Sequence, residues 1–183
     1  DNNYKIGEVI TTGNIGSVLM KLEKYSSSIE YSKEARKIYA VLGYHRYVPY
    51  MDVNMAIAND SLKNHLKAKE LFLKSIKQFK KDENIYELSH ALIGLSNNYL
   101  IAKKYSLAQS TLDKGLKIIQ TKGFKEFELI GLKLLAKIQY KQGNTKSAYK
   151  TLNLYSSLKE ELFESEKTKS IFELETKYET EKK

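Results

Sequence analysis

A spacing of 40 residues, recurring four times without an insertion, constrains this chain more than any other feature. Ser28, Ala68, Ala108 and Ala148 stand in register. Twelve residues before each lies a second small residue: Gly16, Ala56, Ser96 and Ala136. Directly before those come Ile15, Met55, Leu95 and Leu135. Seven residues after the anchor stand Ala35, Ser75 and Gly115, with Tyr155 breaking the series. Four after it stand Phe72, Leu112 and Leu152, with Ser32 the exception. Self-similarity at a period of this length marks a stacked-repeat architecture, in which no unit buries its apolar face alone.

Each unit reads as two helices. In the third, Leu92, Leu95 and Tyr99, and after a turn Leu107, Leu112, Leu116 and Ile119, keep helical rather than alternating spacing. The spacing predicts first helices over about 4–22, 48–63, 86–103 and 126–142, and second helices over about 25–41, 65–80, 105–121 and 145–163. One proline and nine glycines are too little punctuation for a many-stranded sandwich or barrel. Pro49 falls in a first helical turn, and Gly43 and Gly123 stand where a helix C-cap favours positive φ. The small residues have a physical role: only Gly, Ala or Ser fits where two helices of a hairpin cross closely.

The pattern of Ile15-Gly16, Met55-Ala56, Leu95-Ser96 with Tyr99, Leu135-Ala136, the middle alanines and Phe72 resembles the tetratricopeptide repeat family. The resemblance implies an all-α, right-handed solenoid of four 40-residue hairpins plus a C-terminal helix. The array then occupies 1–163, with units at about 9–48, 49–88, 89–128 and 129–168. Thr12, Asp52, Leu92 and Leu132 replace the family's tryptophan, and the terminal proline is missing throughout. The period exceeds the family's usual one of about 34, which implies longer helices.

Residues 164–183 form a C-terminal helix, either a cap on the array or a coiled-coil leader that pairs with a second copy. The stripe Leu154, Leu158, Leu162, Ile171, Leu174, Tyr178 has three-and-four spacing apart from a polar interruption near Ser165–Thr168, where the helix is expected to bend. Glu173 with Lys177, and Glu179 with Lys183, are expected i,i+4 pairs. The segment 173–183 resembles the linker after the repeats in Bacteroidetes-type sensor proteins. That resemblance implies an extracytoplasmic sensor portion of a histidine kinase or transcriptional regulator, on the periplasmic side of the inner membrane. The alternative is a cytoplasmic adaptor or a response-regulator-binding protein.

The chemistry of an enzyme is missing. There is no cysteine, no phosphate loop and no nucleophile elbow, and His45, His65 and His90 show no metal-ligand spacing. No cofactor or metal is expected, and His65 reads as a packing residue. Net charge is +9, and because 159–183 carry six lysines against eight glutamates, residues 1–158 carry +11. That favours an acidic partner. Nucleic acid is not expected, since no recognition motif or aromatic stacking module accompanies the charge. A membrane would be met only through flanking segments.

In such an array the first helices line a concave face. The repeat register places Ile10, Gly13, Ser17, Tyr50, Val53, Ile57, His90, Ile93, Asn97, Ile130, Lys133 and Lys137 there. Asn97, Lys133 and Lys137 resemble part of a clamp that holds a peptide's C-terminal carboxylate, although Gly13, Ser17 and Ile57 occupy its other positions. Tyr50 and His90 complete the expected peptide-binding set.

Overall fold

A helix of about 17 residues followed by a three-residue link is the element from which this chain is built. The computed structural model describes residues 2–182. Its helices are α1 (Asn2–Lys21), α2 (Tyr25–Val41), α3 (Val48–Ser61), α4 (His65–Lys81), α5 (Ile85–Ile101), α6 (Tyr105–Lys122), α7 (Lys125–Lys141) and α8 (Thr145–Glu181). A 3₁₀ turn at His45–Tyr47 precedes α3. No strand occurs among the described residues, and the helices stack as an all-α solenoid.

The links share one conformation. Glu23, Gly43, Lys63, Glu83, Lys103, Gly123 and Gly143 all have positive φ, between 53° and 83°. They stand 20 residues apart, so the 40-residue unit is two half-periods. At each, the N–H of the following residue reaches the carbonyl five residues back, as Lys104 does to Tyr99 at 2.9 Å and Asn64 to Asn59 at 2.8 Å. This is the Schellman closure of a helix. In all but the link before the 3₁₀ turn, the residue that closes one helix also opens the next as its N-cap. Gly43 and Gly123 are the two glycines expected at C-caps, and they occupy that role. Glu23, Lys63, Glu83 and Lys103 do the same without glycine's freedom, at a cost of about 1–2 kcal/mol each.

Small residues sit where the two helices of a hairpin touch. Ala56, Ala68 and Ala108 are fully buried, and Ser28 and Ser96 likewise. Two of the contacts are also hydrogen bonds across the hairpin. Ser28 Oγ donates to the Gly16 carbonyl at 2.7 Å, and Ser96 Oγ donates to the Ala108 carbonyl at 2.7 Å. In the first hairpin the approach is close: a Cβ on Gly16 would lie 2.9 Å from Ser32 Oγ. Ser32, the small exception in its series, is small because it faces that glycine.

The main core runs through α3–α7, from Val53 to Ile138, with Phe72, Phe79, Leu112 and Ile119 essentially dry. A smaller core of Val9, Ala35, Tyr39 and Met51 joins α1 and α2 to α3. Asp52, in the tryptophan position of unit two, is buried and ionic. Its carboxylate lies 2.6 Å from Arg36 Nε on α2 and 3.1 Å from Lys74 Nζ on α4, which ties three helices together.

The last helix departs from expectation in detail. It runs unbroken through Ser165–Thr168, where a bend was expected. Its stripe against α7 is Ala148, Thr151, Tyr155, Leu158 and Leu162, while Leu154 faces outward at 60% exposure. Leu152 is half exposed, unlike Phe72 and Leu112, because no further hairpin lies against it. Lys125 of α7 pairs with Glu161, and beyond Leu162 every described side chain is exposed. α8 contacts α7 and no other helix, so 164–181 covers no end of the array. It projects about 27 Å at 1.5 Å per residue. Glu173 pairs with Lys169 rather than Lys177, and Lys177 pairs with Glu181. The Glu179–Lys183 pair lies outside the described residues.

Two substitutions test this architecture in opposite directions. Ala108→Leu should strain the hairpin crossing by about 1–3 kcal/mol. Lys103→Gly should stabilise by about 1 kcal/mol through relief of its positive φ. Thermal melts should show Tm falling for the first and rising for the second.

Candidate ligand groove on the concave face

The first helices of the four hairpins, α1, α3, α5 and α7, present their free faces to one side. All twelve residues assigned there line two adjoining clefts that meet at His90.

The larger cleft, about 430 Å³, lies between α3, α5 and α7. Its walls are apolar: Ile57, Phe72, Ile93, Ile101, Ile130 and Leu134. Gly94 lets the Phe72 ring reach this wall, since a Cβ there would fall 2.4 Å from the ring. Asn97, Lys133 and Lys137 line the same cleft, with His90 at its edge. Both lysines are exposed, and neither is in an ion pair among the described residues. Two like charges i,i+4 on a helix repel by a few tenths of a kcal/mol. At the opposite wall Asp60 is buried and spoken for. It accepts from Asn98 Nδ2 at 2.7 Å and lies 3.0 Å from His65 Nδ1. His65, read as a packing residue, therefore has a polar partner as well.

The second cleft, about 340 Å³, lies between α1, α3 and the start of α5. Tyr50 lines it within an aromatic ladder. The Tyr39 and Tyr47 rings stack at 5.1 Å, Tyr47 and Tyr50 lie at 6.0 Å, and Tyr50 meets Phe79 edge-on at 5.3 Å. The Tyr50 hydroxyl accepts from Asn84 Nδ2 at 2.6 Å. Burial pushes the Tyr50 phenol above its ordinary pKa, and the Glu87 carboxylate adds to this against the opposing Asn84 bond. Burial likewise raises Tyr39, with Tyr47 contributing. His90 stacks on Phe127 at 5.3 Å and faces Glu87 at 3.7 Å.

Sequence reasoning missed Tyr39, Tyr47 and Glu87. Tyr44, Tyr47 and Tyr50 recur every three residues, the period of a 3₁₀ turn, and that signal could have marked the ladder. Among the described residues no group of three or more His, Asp or Glu side chains is arranged to hold a metal ion, and no helix is long and apolar enough to cross a membrane.

No protein-family model and no curated protein matches the sequence. Solved structures do match its fold. Apo RapI superposes with a TM-score of 0.76 at 19% identity, over 89% of this chain and 60% of that one. Aspartyl phosphate phosphatase F from Bacillus subtilis gives 0.78 at 14%, over 86% and 42%. A signal-transduction ATPase with a tetratricopeptide repeat sensor, from Pyrococcus horikoshii, gives 0.68 at 20%, over 88% and 25%. The chain thus spans less than two thirds of the length of each. These likenesses place it among tetratricopeptide-like folds.

The phenols of Tyr39 and Tyr50, one buried and one partly buried, give a pH test. A phenol whose pKa is raised by folding favours the native state below its unfolded pKa, and that contribution is lost as pH rises through the folded value. Tm should therefore fall above pH about 10. The fall should be shallower in the Tyr39→Phe, Tyr50→Phe double variant, whose missing tyrosinate absorbance should be the latest to titrate.

Proposed function

We propose that the array is a non-enzymatic recognition domain that binds a protein or an acidic peptide on its concave face. The observation that carries this reading is the groove itself: apolar walls with Asn97, Lys133 and Lys137 at one end and, among the described residues, no carboxylate paired with the lysines. A carboxylate between the two lysines would relieve their repulsion and add charge-assisted hydrogen bonds of about 1.5–3 kcal/mol each.

The same reading makes the domain the sensing portion of a signalling receptor. The projecting end of α8 supports it, because a helix continuous with the last repeat is rigidly coupled to the groove wall at α7. The P. horikoshii protein, whose repeats are described as a sensor, is consistent with this use of the fold. An extracytoplasmic position, next to the inner membrane, completes the reading. A cytoplasmic adaptor that binds a response regulator would use the same groove in another place.

Two experiments test these points. Acidic peptides selected from a random library should bind the wild-type chain and lose at least tenfold in affinity for the Lys133→Ala, Lys137→Ala variant, with Tm unchanged or slightly raised. Unchanged affinity would place the site elsewhere. For the tail, Ile171→Asp with Leu174→Asp should reduce self-association by light scattering without lowering the Tm of the monomer, because these side chains contact nothing in the array.

A further inference from the structure

The tyrosine-lined cleft has a charge character opposite to that of the lysine end. Glu87 is the one carboxylate among its lining residues, and no lysine or arginine lines it. The Glu87 side chain is only 17% exposed. His90 Nδ1 lies 3.7 Å from it, too long for a hydrogen bond. Among the described residues it forms no ion pair with a lysine or arginine. Glu87 and Tyr50 line the same cleft, and the carboxylate helps to raise the Tyr50 phenol above its ordinary pKa. A largely desolvated carboxylate beside aromatic rings is costly alone and attracts a cation from two sides, by charge and by the ring quadrupoles.

The ladder already holds one such group. Arg46 lies over the Tyr47 ring at 4.8 Å and donates to the Tyr47 hydroxyl at 2.7 Å. It does so from outside, since it is not among the residues that line the cleft. Its charge also reaches the Tyr50 hydroxyl, but among the described residues no lysine or arginine lines the inner side toward Tyr50 and Glu87.

We propose that this cleft is a subsite for a cationic side chain of the bound peptide, a guanidinium held between Tyr50 and Glu87. This rests on the concave-face reading above and gives the ligand a direction. Its positive group lies at α3 and the start of α5, and its negative end at Lys133 and Lys137 on α7. Two helix spacings of about 8–10 Å separate the ends, or roughly five residues of extended chain at about 3.3–3.6 Å each.

The test needs no identified ligand. N-acetyl-arginine amide is titrated into the full chain carrying ¹³C-labelled tyrosine, with N-acetyl-citrulline amide as the neutral isostere. The arginine compound should shift the Tyr39, Tyr47 and Tyr50 ring signals saturably and bind about tenfold more tightly than citrulline. Glu87→Gln should abolish that preference, while Lys133→Ala, Lys137→Ala should leave it intact. Equal binding of the two compounds, no saturable shift, or an undiminished preference in a folded Glu87→Gln protein would overturn the proposal. Should Glu87→Gln fail to fold, the wild-type comparison of arginine with citrulline decides. Because the probe never touches the lysine end, this subsite and the acidic-peptide reading can fail separately.

Discussion

Everything in this molecule depends on how closely two helices can approach at one point in each hairpin. The point lies between residues twelve apart, such as Gly16 and Ser28 or Ser96 and Ala108, where a side-chain hydroxyl of one helix reaches the backbone of the other. No larger residue fits there, and the large residues around it, Phe72 and Leu112 among them, are displaced outward to meet the next hairpin. Stacking follows from that displacement. Among the described residues the first helices turn one face each toward the two clefts, and those faces form the groove.

Much of this was legible in the sequence, because a small residue at a crossing and a large one beside it are forced by volume. The helix boundaries, the buried alanines and the positions along the concave face all follow from the period. The links were less legible. Glu23, Lys63, Glu83 and Lys103 adopt positive φ without being glycine, so the 20-residue half-period is carried by backbone conformation rather than by residue type. Asp52 was visible only as a departure. Its partners Arg36 and Lys74 lie on two other helices, one of them in the preceding hairpin, and no local pattern links the three. The aromatic ladder was missed for a similar reason, since Tyr39 and Tyr47 reach the concave side from α2 and the 3₁₀ turn, outside the four first helices.

The stripe along α8 shows where periodicity misleads. Leu154, Leu158 and Leu162 keep helical spacing, yet only the latter two face α7, and Tyr155 takes the inner position instead. Spacing identifies that a helix has an apolar face, while the neighbour decides which side is buried. Beyond Leu162 there is no neighbour, and Phe163, Ile171, Phe172, Leu174 and Tyr178 remain exposed. The chain therefore grades from a dry centre in α3–α6 to a bare helix at one end, with the smaller core around Val9 at the other.

Residue-resolved amide hydrogen exchange measures that gradation most directly, because opening free energies follow local burial. The hairpin crossing as organising contact predicts the slowest exchange in α3–α6, at Ala56, Ala68, Ser96 and Ala108. It predicts faster exchange in α1 and the fastest in α8 beyond Leu162. Uniform protection along the chain, or protection in α3–α6 no greater than in the projecting helix, would contradict it.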